Sequence, residues 1–236
     1  MSLQTRVQVL ELRRRYGDQL LSLLTILLAV MLFLVAPIQA AGFVIIDAFG
    51  AFVALVLIGG AFVISANPMA TTIMLVGFSL NLIVIIMRLV RPLTYDLYMV
   101  AGAWVIITTV LGFVVARQVF ERGQVTFHRI VGAILLYMLI AMAFVSLFML
   151  VGLLAPNAFS GLTLEDNQKM SSSLIYFSFA TLTTTGYGDI VPVHPVARSL
   201  CNIEAVIGQL YPATLLARLV SLELEGRRRK SRESAP

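Results

Sequence analysis

The residues of this chain with the clearest capacity for chemistry lie between Thr183 and Asp189, in the run T-T-T-G-Y-G-D. Gly186 and Gly188 stand at alternate positions, and glycine reaches positive φ without steric cost. Alternating dihedral signs can therefore aim the successive carbonyls of Thr184, Thr185, Gly186 and Tyr187 at one axis. The chemistry this allows is coordination: a ring of backbone carbonyls can give back to a dehydrated cation the oxygen ligands it loses with its water. The sequence shows no nucleophile set for catalysis, no metal-ligand cluster and no phosphate-binding loop, so an enzyme is not expected.

A carbonyl ring of this kind needs elements that hold it inside a membrane, and the composition provides them. The chain has 236 residues, 59% hydrophobic and 12% charged, with a mean hydropathy of +0.95, which is too apolar for a soluble domain of this size. A helix of about 20 apolar residues crosses the hydrocarbon while bonding its own backbone. Six runs qualify: Leu20 to Ile38, Gly42 to Ile64, Met69 to Val90, Leu97 to Ala116, Ile130 to Leu154 and Val196 to Leu222. Between the last two, Leu174 to Leu182 is apolar but too short to span, the profile of a re-entrant segment. The fold class expected is an all-α membrane protein with six transmembrane helices and a re-entrant pore helix between the fifth and sixth. Ser171, Ser172 or Ser173 would cap the short helix, and Leu182 would end it against the glycine run with its negative dipole end toward the bilayer centre, where it favours a cation.

Six spans put both termini on one side, and the positive-inside rule makes that side cytoplasmic. Thirteen of the seventeen basic residues then lie inside, and Arg88, Arg91, Lys169 and Arg198 remain outside. Arg88 and Arg91 sit awkwardly in a short external turn. The sequence IQAAG after the first run resembles a signal-peptide cleavage site, but the run is longer than a signal core. The domain plan is 1–19 as a basic cytoplasmic segment, 20–116 as a four-helix membrane domain, 117–129 as an interfacial linker, 130–222 as the pore domain and 223–236 as a basic cytoplasmic tail. The basic ends abut hydrophobic spans and carry no stacking aromatic apart from Tyr16, which favours anionic lipid over nucleic acid as their partner. Cys201 has no partner within the chain, so no internal disulfide is expected.

The run Thr184, Thr185, Gly186, Tyr187, Gly188 resembles the filter motif of the potassium-channel pore family, TVGYG, with Thr185 in place of valine. The resemblance covers about Ile130 to Leu222. It implies a plasma-membrane homotetramer, one filter strand per chain, that passes K⁺ down its gradient with no other cofactor. It further implies that the carbonyls of Thr184, Thr185, Gly186 and Tyr187 and the Thr184 hydroxyl bind K⁺, supported by Thr183 and anchored by Asp189. Where many members carry two tryptophans, this chain has Tyr176 and Phe177. Tyr176 can still reach Asp189 through its hydroxyl, Phe177 offers packing only, and Ala180 offers no polar group.

In the last span the family places a gating hinge at a mid-helix glycine and a kink at a later proline, here Gly208 and Pro212. A proline at i+4 removes the amide that would bond the carbonyl of residue 208. Glu204 and Gln209 interrupt the same helix. An acidic residue at membrane depth is paired, neutral or facing water, and Glu204 either bonds a pore-helix group such as Ser178 or faces the cavity. His194 stands near the outer mouth, where a solvated histidine with no special role is the plainer reading. The fourth run has no arginine ladder, so conventional voltage gating is not expected. Two other readings fit the same residues: a weakly selective cation channel, favoured by Thr185, and a non-conducting auxiliary subunit that retains the pore fold.

Overall fold

The computed structural model describes residues 21–42, 72, 75–76, 79, 82–83, 96–120, 127–162 and 168–233. Its elements are α1 (Leu21–Ala40), α2 (Asp96–Val119), α3 (Phe127–Leu154), β1 (Phe159–Ser160), α4 (Gln168–Leu182), β2 (Val191–Pro192) and α5 (Pro195–Glu233). Among the described residues four helices, α1, α2, α3 and α5, are long and apolar enough to cross a membrane. The expected second and third spans, Gly42 to Ile64 and Met69 to Val90, lie outside the described residues. The exceptions are a turn at Gly42 and helical positions at Thr72, Leu75, Val76, Ser79, Leu82 and Ile83.

α1 carries a π-helical turn over Met31–Val35, closed by the Ala36 amide on the Met31 carbonyl. Pro37 follows at the start of the next helical turn. A proline has no amide to give and its ring crowds the carbonyl four residues back, and a wider turn is one way a helix absorbs that defect. The inner face of α1, with Leu21, Leu24, Leu28 and Leu32, packs on Leu111, Val115 and Val119 of α2 and on Ala133, Leu135 and Leu139 of α3. Thr25 Oγ1 lies 2.7 Å from its own helix's Leu21 carbonyl and 3.2 Å from the Val131 carbonyl of α3. Tyr98 donates from α2 to the Leu153 carbonyl at the far end of α3 (2.8 Å).

A second core joins α3 to α4. Phe148, Phe159 and Phe177 meet edge to face, with centroids 5.0 to 5.8 Å apart, a geometry that adds to simple burial. β1 and β2 pair antiparallel, Phe159 opposite Pro192 and Ser160 opposite Val191. The loop after α3 is thereby fastened to the segment that follows Asp189.

Two helix limits differ from the sequence expectation. α4 begins at Gln168, so Ser171, Ser172 and Ser173 lie within the helix and do not cap it. Gln168, Lys169 and Met170 are good helix formers and add a polar turn that hydropathy does not register. α5 runs unbroken through Pro212 and on to Glu233, well past the apolar stretch, because Leu, Glu, Arg and Lys dominate 222–233 and favour helix whether or not it is in lipid.

α5 is the least covered of the long helices. It buries 11% of its apolar window, against 50% for α3. Val196, Ile203, Val206 and Leu210 are all exposed and fall at helical spacing along one stripe. Further along α5 the Arg218 guanidinium donates to the Phe120 carbonyl just past α2 (2.7 Å) and lies 4.8 Å over the Phe120 ring.

Candidate functional site

The site begins where α4 ends. The amides of four successive residues turn back onto the helix terminus: Thr183 to the Phe179 carbonyl (3.0 Å), Thr184 to Thr181 (2.9 Å), Thr185 to Ala180 (2.8 Å) and Gly186 to Ala180 (3.1 Å). A helix leaves its last four carbonyls without intrahelical partners, and here three of them, Phe179, Ala180 and Thr181, are taken up by this run. The fourth, Leu182, lies 3.4 Å from the Tyr137 hydroxyl of α3. By contrast, among the described residues no carbonyl from Thr184 to Tyr187 accepts a hydrogen bond.

The backbone alternates as it leaves the helix. Positive φ occurs at Thr184 (56°), Gly186 (55°) and Gly188 (82°), and at neither Thr185 nor Tyr187. Two of these positions are glycines, but the first is a β-branched residue, for which left-handed geometry is an outlier that needs outside support.

The threonine hydroxyls can be assigned by counting protons, since each has one to give. Thr183 Oγ1 lies 2.7 Å from the Phe179 carbonyl, which can only accept, and 2.8 Å from Thr185 Oγ1. Thr183 therefore donates to Phe179 and Thr185 donates to Thr183. The hydroxyl that replaces the family's valine methyl is spent within its own strand. Thr184 Oγ1 alone of this run is met from α5, by the Gln209 amide (Nε2 to Oγ1, 2.8 Å).

Toward Asp189 the rings of Tyr176 and Tyr187 stack with centroids 5.9 Å apart and planes 13° from parallel. The Tyr176 phenol is held above its ordinary value, first by loss of solvent and then by the neighbouring Asp189 carboxylate. Phe177 is buried in the aromatic core. His194 accepts the Val196 amide on Nδ1 (3.3 Å) at the start of α5, and Arg198 donates to the Pro192 carbonyl (3.1 Å).

Behind the site, Glu204 is fully buried. Its Oε1 lies 2.5 Å from Ser178 Oγ, which is also 2.9 Å from the Ala141 carbonyl, while Oε2 has no partner among the described residues. One serine proton cannot serve both a carboxylate and a carbonyl. A carboxylic acid resolves the count: Glu204 donates to Ser178, and Ser178 donates to Ala141. One turn on, Gly208 lies so close to α4 that a Cβ at that position would collide with the Leu182 carbonyl oxygen. A hinge at Gly208 would have to carry this contact with it. Pro212 is exposed, and the residues between it and Gly208 are helical.

The contacts of Gln209, Tyr137 and Arg218 do not follow from local pattern. Gln209 stands out in the sequence as a polar interruption of an apolar run, but the partner in each case is a backbone or hydroxyl group far away in sequence.

No curated protein and no solved structure matches the chain. Residues 134–224 match the family model for an ion channel, a stretch that holds most of α3, all of α4, the 183–189 run and α5 as far as Leu224, and with the four apolar helices among the described residues this supports an ion-channel pore within an integral membrane protein.

Proposed function

We propose that the chain is one subunit of a K⁺-selective channel in which four copies surround an axis lined by the carbonyls of Thr184, Thr185, Gly186 and Tyr187 and by the Thr184 hydroxyl. One observation carries this reading: the amides of Thr183 to Gly186 are bonded back to α4, while the carbonyls of Thr184 to Tyr187 accept nothing among the described residues. Unpaired carbonyls are costly at membrane depth unless an ion or water meets them, and cation coordination is what free, aligned carbonyls do well. One chain supplies one strand, so a closed ring requires cyclic symmetry. Conduction is passive, both termini face the cytoplasm, and the absence of an arginine ladder in the fourth run argues against conventional voltage gating.

Thr185 does not by itself move the reading toward a weakly selective pore, because its proton is taken by Thr183. The test is ion flux into liposomes holding the purified protein, with K⁺ and Na⁺ compared and Ba²⁺ as blocker. Ba²⁺-sensitive flux that strongly prefers K⁺ and disappears in Gly186→Asp is expected. Equal Na⁺ flux would replace the reading with a weakly selective channel, and no flux across lipids, pH and voltage would replace it with a non-conducting role.

A further inference from the structure

Gln209 has no part in the filter motif, and a carboxamide in an apolar helix needs a reason to be there. We propose that Gln209 is a positioning residue for ion passage: from α5 it holds the Thr184 hydroxyl, and so keeps both oxygen ligands of Thr184 on the axis at the innermost ion position. This rests on the channel reading and deepens it.

Three observations converge on the residue. Thr184 is the one non-glycine with positive φ in the 183–189 run (56°), and a β-branched side chain keeps that conformation only where neighbours impose it. Its amide is held by the Thr181 carbonyl, and its side chain is held by the Gln209 amide at 2.8 Å. The other hydroxyls nearby are bonded inward, Thr181 to the Phe177 carbonyl, Thr183 to the Phe179 carbonyl and Thr185 to Thr183, so Thr184 has no such anchor on α4. Finally, Gly208 brings α5 against the Leu182 carbonyl with no space for a Cβ, and that close approach places the next residue, Gln209, within reach of Thr184.

The hydroxyl chemistry fits an ion ligand. Thr184 Oγ1 has two lone pairs, and the Gln209 amide takes one, leaving the other for a cation. Without the amide, Thr184 is free to relax out of the left-handed region. That relaxation would move its carbonyl and its hydroxyl together, weakening the innermost position and its discrimination between ions.

The test compares wild type, Gln209→Leu and Gln209→Glu in the liposome flux assay, with assembly checked by size exclusion. Gln209→Leu keeps the bulk and loses the hydrogen bond. It is expected to raise the Ba²⁺ concentration for half-block about tenfold, the scale of one hydrogen bond at an ion site, and to lower the preference for K⁺ over Na⁺. Gln209→Glu can accept the Thr184 proton, so it re-forms the link and is expected to return half-block to the wild-type value or below it. If Gln209→Leu leaves half-block and ion preference within about twofold of wild type, or if Gln209→Glu restores neither, the proposal is wrong while the channel reading stands. A wild-type protein with no Ba²⁺-sensitive K⁺ flux overturns both.

Discussion

At Glu204 the question is where one proton goes. Ser178 cannot donate to both Ala141 and an ionised carboxylate, so the acid form of Glu204 completes a chain from α5 through α4 to α3. An amide can take the same place: Gln donates through its NH₂ to Ser178 as the acid does. Glu204→Gln is therefore expected to assemble and conduct like wild type. Glu204→Ala breaks the chain and leaves Ser178 without its donor, and should lower stability by about 1–3 kcal/mol, read as a drop in the unfolding midpoint in micelles. Equal losses in the two variants would contradict the protonated form. The sequence left Glu204 either bonded to a pore-helix group such as Ser178 or facing the cavity, and the contact with Ser178 came from the coordinates, as did the full burial of Glu204.

At the scale of elements, the contact of α5 on α4 is set by Gly208. A methyl group at that position meets a backbone oxygen, which cannot rotate away, so Gly208→Ala must push α5 off the end of α4. The expected loss is about 2 kcal/mol, the scale of overpacking a close contact, accompanied by loss of flux as Gln209 is carried away from Thr184. Thermal unfolding of the assembled protein checks it. Wild-type stability with altered opening would favour the hinge that the family resemblance places here. The existence of α4 was legible from its apolar run. Its true start was not, since a turn of Gln, Lys and Met looks like loop on a hydropathy scale.

At the scale of the whole molecule, the exposed stripe of Val196, Ile203, Val206 and Leu210 and the open carbonyls of 184–187 need covering. Neighbouring copies and lipid are the two covers for the stripe, and in a four-fold channel ions and water on the axis meet the carbonyls. Native mass spectrometry from detergent is expected to find four chains per particle. Val206→Asp, which places a charge on that stripe, is expected to reduce the four-chain species severalfold, because a charge at membrane depth costs about 2–4 kcal/mol. A monomer that carries K⁺-selective flux would contradict the ring.

The sequence by itself determined the parts that depend on local pattern. The apolar runs that became α1, α2, α3 and α5 follow from residue type alone, since a spanning helix needs only length and hydropathy. Gly186 and Gly188 reach positive φ because only glycine does so freely, and the spacing of two showed the alternation. The tertiary structure decided what depends on which distant groups meet. It set Thr184 in the left-handed region against its own preference, gave the Thr185 proton to Thr183, turned Gly208 into a contact with Leu182 and joined Gln209 to Thr184 across 25 residues. None of these has a sequence period, because each arises where two elements cross, and the crossing is fixed by packing of the whole chain.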